Sequence, residues 1–209
     1  MARPCLDRER GRSDSPVHRV SAFATDRGRV LGQEKVAGKS NEVTAIPELL
    51  QALSLKGYLV TIDAMGCQKA IAAQMVAQKG DDLLAVKGNP PTLHAAIQKA
   101  FDHLSGEQPW HEHSERSPGR GGTQFAGVAP AEGVVNTTDG SACKTLGGLV
   151  SQRVVGHKVA EAEWRYTISS REMSAEDMAL STRAHWGIEN RLHGGLDVTF
   201  GEDASSQST

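Results

Sequence analysis

Apolar positions along residues 17–104 change period several times, and each change marks an element. Val17 to Thr25 reads as a strand, Asp26-Arg27-Gly28 as a turn, and Arg29 to Val36 as the returning strand of a hairpin. Ile46, Leu49, Leu50 and Leu53 then follow the i, i+3, i+4, i+7 spacing of one buried helix face. They predict a helix over about 44–53, with Ser40-Asn41-Glu42 as its cap. Tyr58–Asp63 is a short apolar run, the pattern of a strand covered on both faces. A helix over Gln68–Lys79, closed by Gly80, follows. Leu83–Lys87 is a second buried strand, ended by Gly88-Asn89-Pro90-Pro91, and Thr92–Leu104 is helical again. This order describes an α/β sheet core.

The period is lost in residues 105–150, which are rich in Gly, Ser, Thr and His and predict a loop-rich or β insertion. Val150–Val155 and Trp164–Ser169 return as paired strands. Ser174 can cap a helix that carries Met178, Trp186 and Glu189 and stops at Gly194-Gly195. The expected organisation is a disordered or severed end over 1–16, a first part of the core over 17–104 and the insertion over 105–150. The second part of the core covers 151–200, and 201–209 form a tail. No internal repeat occurs.

Composition narrows the classes. The 209 residues are 38% hydrophobic and 4% aromatic, with 22 glycines. No run approaches the ~20 apolar residues that span a bilayer, and the charged start lacks an apolar leader, so the expected setting is cytoplasmic, away from any membrane. Three scattered cysteines without a Cys-x-x-Cys pair argue against a disulfide framework or a cysteine zinc site. A net charge of −2 does not announce nucleic acid. Residues 1–40, however, hold nine Arg or Lys against five Asp or Glu, a basic stretch that is either solvated or in contact with phosphate.

Two carboxylates stand in suggestive places. Asp63 closes a buried strand, and ligands of α/β sheets gather at strand C-termini; the alternative is a cap for the following turn. Glu189 has His185 four residues before it and His193 four after, so the three share a helix stripe. Such a stripe either ligates a metal or forms a solvated, hydrogen-bonded face; it lacks the His-Glu-x-x-His core of a zinc protease. Trp186 reads as a core anchor of that helix. Lys87, Arg120, Arg183 and Arg191 are candidate phosphate contacts, with ordinary surface charge as the alternative for each. Two distant carboxylates brought together can hold a divalent ion, and metal-held carboxylates cut phosphodiesters.

At these residues the chain resembles a known family. Ser21-Ala-Phe-Ala-Thr25, Val30-Leu-Gly-Gln33, Lys39-Ser-Asn-Glu42, Ala45-Ile-Pro-Glu-Leu-Leu50, Thr61-Ile-Asp-Ala-Met-Gly66, Leu84-Ala-Val-Lys-Gly-Asn89, His185-Trp-Gly-Ile-Glu-Asn190 and Leu196-Asp-Val-Thr-Phe200 recur in this order in ISAs-type insertion-sequence transposases, which include the H-repeat-associated proteins. The resemblance covers about residues 6–205. It implies a DDE transposase with a ribonuclease H-like mixed sheet and flanking helices. Two Asp and one Glu would bind Mg²⁺ or Mn²⁺ and cut double-stranded DNA at insertion-sequence ends, with a homodimer as a possible assembly. Asp63 matches the second Asp and Glu189 the Glu.

The chain departs from the family pattern in several places. The family's first Asp lies in an Asp-Gly-Lys segment that this sequence lacks, and Asp7 falls after its place. Pro118-Gly-Arg-Gly-Gly122 stands where the family often has His-Gly-Arg-x-Glu. Gly194 replaces a tryptophan, which predicts a shortened helix. Family members also continue where this chain stops. The expectation is a fragment of a transposase without strand-cleaving activity of its own. The competing expectations are a non-catalytic remnant that binds DNA or a partner, and an unrelated metallohydrolase built on His185, Glu189 and His193.

Overall fold

The computed structural model describes residues 19–36, 42–63, 68–88, 91–104, 110–117, 120–135, 142–155, 158–159 and 162–200. For 42, 104, 115–117, 120–121, 153–155, 158–159 and 188–200 it describes the backbone alone. The expected end segments 1–16 and 201–209 lie outside the described residues.

Strands β1 (Arg19–Ala24) and β2 (Arg29–Lys35) pair antiparallel as a separate two-stranded sheet, closed by a turn in which Gly28 has φ +61°. Helix α1 (Glu42–Gln51) turns Ala45, Ile46, Leu49 and Leu50 inward, at the predicted spacing. Strand β3 (Leu59–Ile62), helix α2 (Lys69–Ala77) and strand β4 (Asp81–Val86) follow, and β3 and β4 run parallel. Helix α3 spans Pro91–Leu104.

The expected ending of α2 is corrected in detail. Lys79, with φ +62°, takes the left-handed position that closes the helix, and Gly80 serves another purpose. A Cβ on Gly80 would lie 2.9 Å from the Cβ of Leu55, so the glycine is needed for space.

Residues 105–150 are richer in strands than their composition suggests. They contain β5 (His111–Ser117), β6 (Arg120–Pro130) and the start of β7 (Thr145–Val155). Short β8 (Lys158–Val159) pairs with β7, and β9 (Glu163–Ser169) returns between β7 and β4. The large sheet has the order β3-β4-β9-β7-β6-β5; every pairing except β3–β4 is antiparallel. It is a mixed sheet flanked by helices, as expected.

The strands' two-residue period sorts the layers. Val60, Ile62, Leu84 and Ile168 face a core shared with α1, α2 and β1, and Val86 and Tyr166 pack with Ile97 and Phe101 of α3. The opposite face carries α4 (Ala175–Phe200), whose Ala179 packs on Ala126 and Leu149. Adjacent glycines of β7 serve both layers. A Cβ on Gly147 would meet Met178 Sδ of α4 at 2.8 Å, and one on Gly148 would meet Phe101 of α3 at 2.9 Å. The two-stranded sheet therefore stands apart in hydrogen bonding yet shares the main core.

Helix α4 starts where expected. Ser174 Oγ accepts the Asp177 N–H at 3.1 Å and donates to Asp177 Oδ2 at 2.8 Å. Its expected stop at Gly194-Gly195 is overturned, because the helix continues to Phe200. A glycine with helical φ costs about 1 kcal/mol relative to Ala without ending a helix; a stop needs a left-handed residue.

Candidate active site

The site is assembled from the end of β3 and the middle of α4. In β3, Val60 and Ile62 point into the α1–α2 core, which turns Thr61 toward α4. Thr61 is 2% exposed and His185 7%, and Thr61 Oγ1 lies 2.8 Å from His185 Nδ1. A hydroxyl in a buried strand needs a partner, and here it comes from 124 residues away. Asp63 follows Thr61 by two positions on the continuation of β3, and Glu189 follows His185 by one helical turn on α4. Each carboxylate residue is thus one structural repeat, about 6–7 Å of backbone, beyond one member of a shared hydrogen bond.

Asp63 is reachable from solvent, its side chain 38% exposed. Lys87, just past the end of the parallel neighbour β4, places Nζ 3.6 Å from Asp63 Oδ1. This exposed pair holds the lysine over the carboxylate with little energy, ~0–1 kcal/mol. The helix side chains beyond Gly187, including Glu189, Arg191 and His193, lie outside the described residues, as does the side chain of Arg120. Arg183 is half-buried on α4, and its Nη1 is buried without a hydrogen-bond partner among the described residues. Among the described residues, no group of three or more His, Cys, Asp or Glu is placed to hold a metal ion. No helix among them is long and apolar enough to cross a membrane.

Trp186 is not the expected core anchor. It is 40% exposed, and the Arg165 guanidinium lies 3.8 Å from its ring centroid. The neighbouring His185 is the anchor instead. His185 is turned inward and makes a directed hydrogen bond with Thr61.

Sequence reading missed Asp82, which is buried on β4 at 4% exposure. Its Oδ1 accepts the Ser170 N–H at 3.2 Å, and its own N–H donates to Ser170 Oγ at 2.9 Å. Burial raises its carboxyl from 3.8 to about 6, against the lowering effect of the Ser170 hydrogen bonds. The signal lay in Asp81-Asp82 opening an apolar run, where one of two adjacent strand residues must face inward. Asp82 lines a cavity of about 250 Å³ with Ala72, Val76, Leu84, Cys143 and Ile168. That cavity is on the α2 side of the sheet, opposite the Thr61–His185 contact, and is separate from the site at the end of β3.

Comparison with known proteins bears on the whole chain. The family model for a transposase DDE domain matches residues 7–207. "Putative transposase YncI" of Escherichia coli O157:H7 is 42% identical over 206 residues, covering 94% of this chain and 52% of that protein. "H repeat-associated putative transposase YhhI" and "Putative protein YbfL", both of Escherichia coli strain K12, are each 41% identical over 203 residues, covering 93% of this chain and 54% of each relative. The chain thus spans about half the length of these relatives. With a family match over nearly all of its residues and an α/β fold with a mixed sheet to accommodate it, this chain belongs to the DDE transposase family.

Proposed function

We propose that the chain is part of the catalytic unit of an insertion-sequence transposase. Asp63 and Glu189 are two carboxylates of a divalent-metal site that directs phosphodiester cleavage and strand transfer at the ends of the element. The observation that carries this reading is the Thr61–His185 hydrogen bond, which ties the strand ending in Asp63 to the helix bearing Glu189. Without it, the two acids would be related only by their motifs.

The donor set fits a hard cation. Asp63 offers an accessible carboxylate at a strand end, and Glu189 would add a second oxygen ligand, a set that suits Mg²⁺ or Mn²⁺ over Zn²⁺. Bound ions in such sites lower the pKa of an attacking water and stabilise the leaving oxygen of an in-line displacement. Asp63 binds and orients. Lys87 neutralises Asp63 when no cation is present, and its flexible stem lets Nζ turn from the carboxylate to a phosphate oxygen. Arg183, with a partnerless Nη1 among the described residues, is a second candidate phosphate donor, and Arg120 and Arg191 are proposed with it. The partner is double-stranded DNA at insertion-sequence ends, held by local cations because the whole chain carries a net charge of −2. A homodimer is the proposed assembly.

The first Asp implied by the resemblance has no counterpart in the sequence, which lacks Asp-Gly-Lys. A site with two of three carboxylates binds Mg²⁺ poorly, so we propose that this chain, a transposase fragment, does not cleave DNA by itself. The second reading, a remnant that binds DNA or a partner, is favoured by the same missing carboxylate. Incubating the chain with Mg²⁺ and a supercoiled plasmid carrying insertion ends tests the point. The expected result is no nicking. Nicking that disappears in Asp63→Ala would overturn the proposed loss of activity while supporting the site.

A further inference from the structure

We infer that His185 is a positioning residue: its imidazole, held by Thr61, fixes the register of α4 against β3 and so sets the separation of Asp63 and Glu189. The inference rests on the reading of those two acids as partners in one site.

The packing of α4 explains why a directed bond is needed. The α4 residues against the sheet include Met178, a flexible thioether over Gly147, and Ala179, which meets Ala126 and Leu149. Small and pliable contacts of this kind hold a helix down without fixing where it stops along its axis. The polar tie of Met178, in which Thr167 Oγ1 donates to Sδ at 3.2 Å, and the Ser174 cap lie in the first turn. They are three to four turns before the proposed ligand.

His185 is different. It is buried, its partner is a strand residue flanked by fully packed Val60 and Ile62, and sliding the helix would break a hydrogen bond between two buried polar groups. An apolar side chain would fill the same space without choosing a register. The bond fixes the helix one turn before Glu189, where small displacements matter most. A shift of about 1 Å at a reacting centre can lower a rate by ~10²-fold.

Thr61→Val and His185→Phe each remove the bond while keeping the shape of the side chain, and Thr61→Ser keeps the hydroxyl. Two measurements on the whole chain read the result: amide hydrogen exchange along α4, and Mn²⁺ affinity from the electron paramagnetic resonance of free Mn²⁺. In Thr61→Val and His185→Phe, exchange over residues 183–190 should rise about five- to tenfold, with residues 175–181 unchanged. Mn²⁺ affinity should fall at least ~10-fold, the usual consequence of losing a residue that orients a ligand. Thr61→Ser should restore both.

Unchanged exchange over 183–190 in either variant that folds would overturn the inference whatever the metal does. Raised exchange with unchanged Mn²⁺ affinity, in a chain whose binding is lost in Asp63→Asn, would reduce the bond to a structural role and leave the site reading intact. Mn²⁺ binding that is the same in Asp63→Asn as in the original chain would remove the site reading, and this inference with it.

Discussion

Asp82 and Asp63 show how position divides two similar side chains. Asp63 lies just past the end of β3, partly exposed and beside Lys87; Asp82, one strand over, is enclosed and held by Ser170. The sign of its effect on stability follows from the raised carboxyl. The folded chain holds the proton up to about pH 6, whereas the unfolded chain releases it near 3.8. Between those values the folded state binds more protons, so stability falls as pH rises through the window and levels off above it. The loss amounts to ~2–3 kcal/mol at most. Asp82→Asn keeps an acceptor for the Ser170 N–H and removes the titration. Denaturant melts should find it close to the original chain at pH 4 and more stable at pH 8; an offset equal at both would contradict the assignment. Trp186 and His185 are legible in the sequence as neighbours on one helix, but their roles are not. Helical spacing states which residues share a stripe, whereas only the packed sheet decides which stripe faces inward.

Strands and helices of residues 19–104 leave a trace in apolar period and run length, even where the burial is distant, as for Ile97 and Phe101 of α3 against Leu146 and Tyr166. The β5–β6 hairpin does not. His111-Glu-His-Ser-Glu-Arg-Ser117 carries no apolar alternation, and β6 begins Arg-Gly-Gly. Its backbone is satisfied by pairing with β7, from Arg120 opposite Val155 to Pro130 opposite Thr145, and such distant pairing leaves little local trace. The Gly147-Gly148 pair resembles loop material for a similar reason. Inside β7 the two residues admit Met178 on one face and Phe101 on the other. Gly148→Ala would force Phe101 or the strand to move and should lower stability by ~1–3 kcal/mol. A calorimetric melt unchanged from the original chain would contradict this packing. The same lesson covers α4, where two glycines resemble a terminus and are helical.

Across the whole molecule, two sheets share a core: among the described residues β1 and β2 pair only with each other, yet Val20 and Ala22 pack with Val60 and Ile62 of β3. The candidate site lies at the β3 end of the larger sheet. The motif resemblance anticipated the family, and the match over residues 7–207 bears it out. Motif order cannot fix how far apart two acids lie; we propose that the buried Thr61–His185 bond, between residues 124 apart in sequence, does so. Since the chain covers 52–54% of these relatives, DNA cleavage and strand transfer are proposals for this chain. The central claim, that Asp63 and Glu189 serve one divalent ion, is narrower and can be tested directly. Mn²⁺ titration followed by electron paramagnetic resonance, comparing the original chain with Asp63→Asn and Glu189→Gln, should show weak binding that falls ~10-fold or more in each variant. Equal binding by all three would contradict the claim.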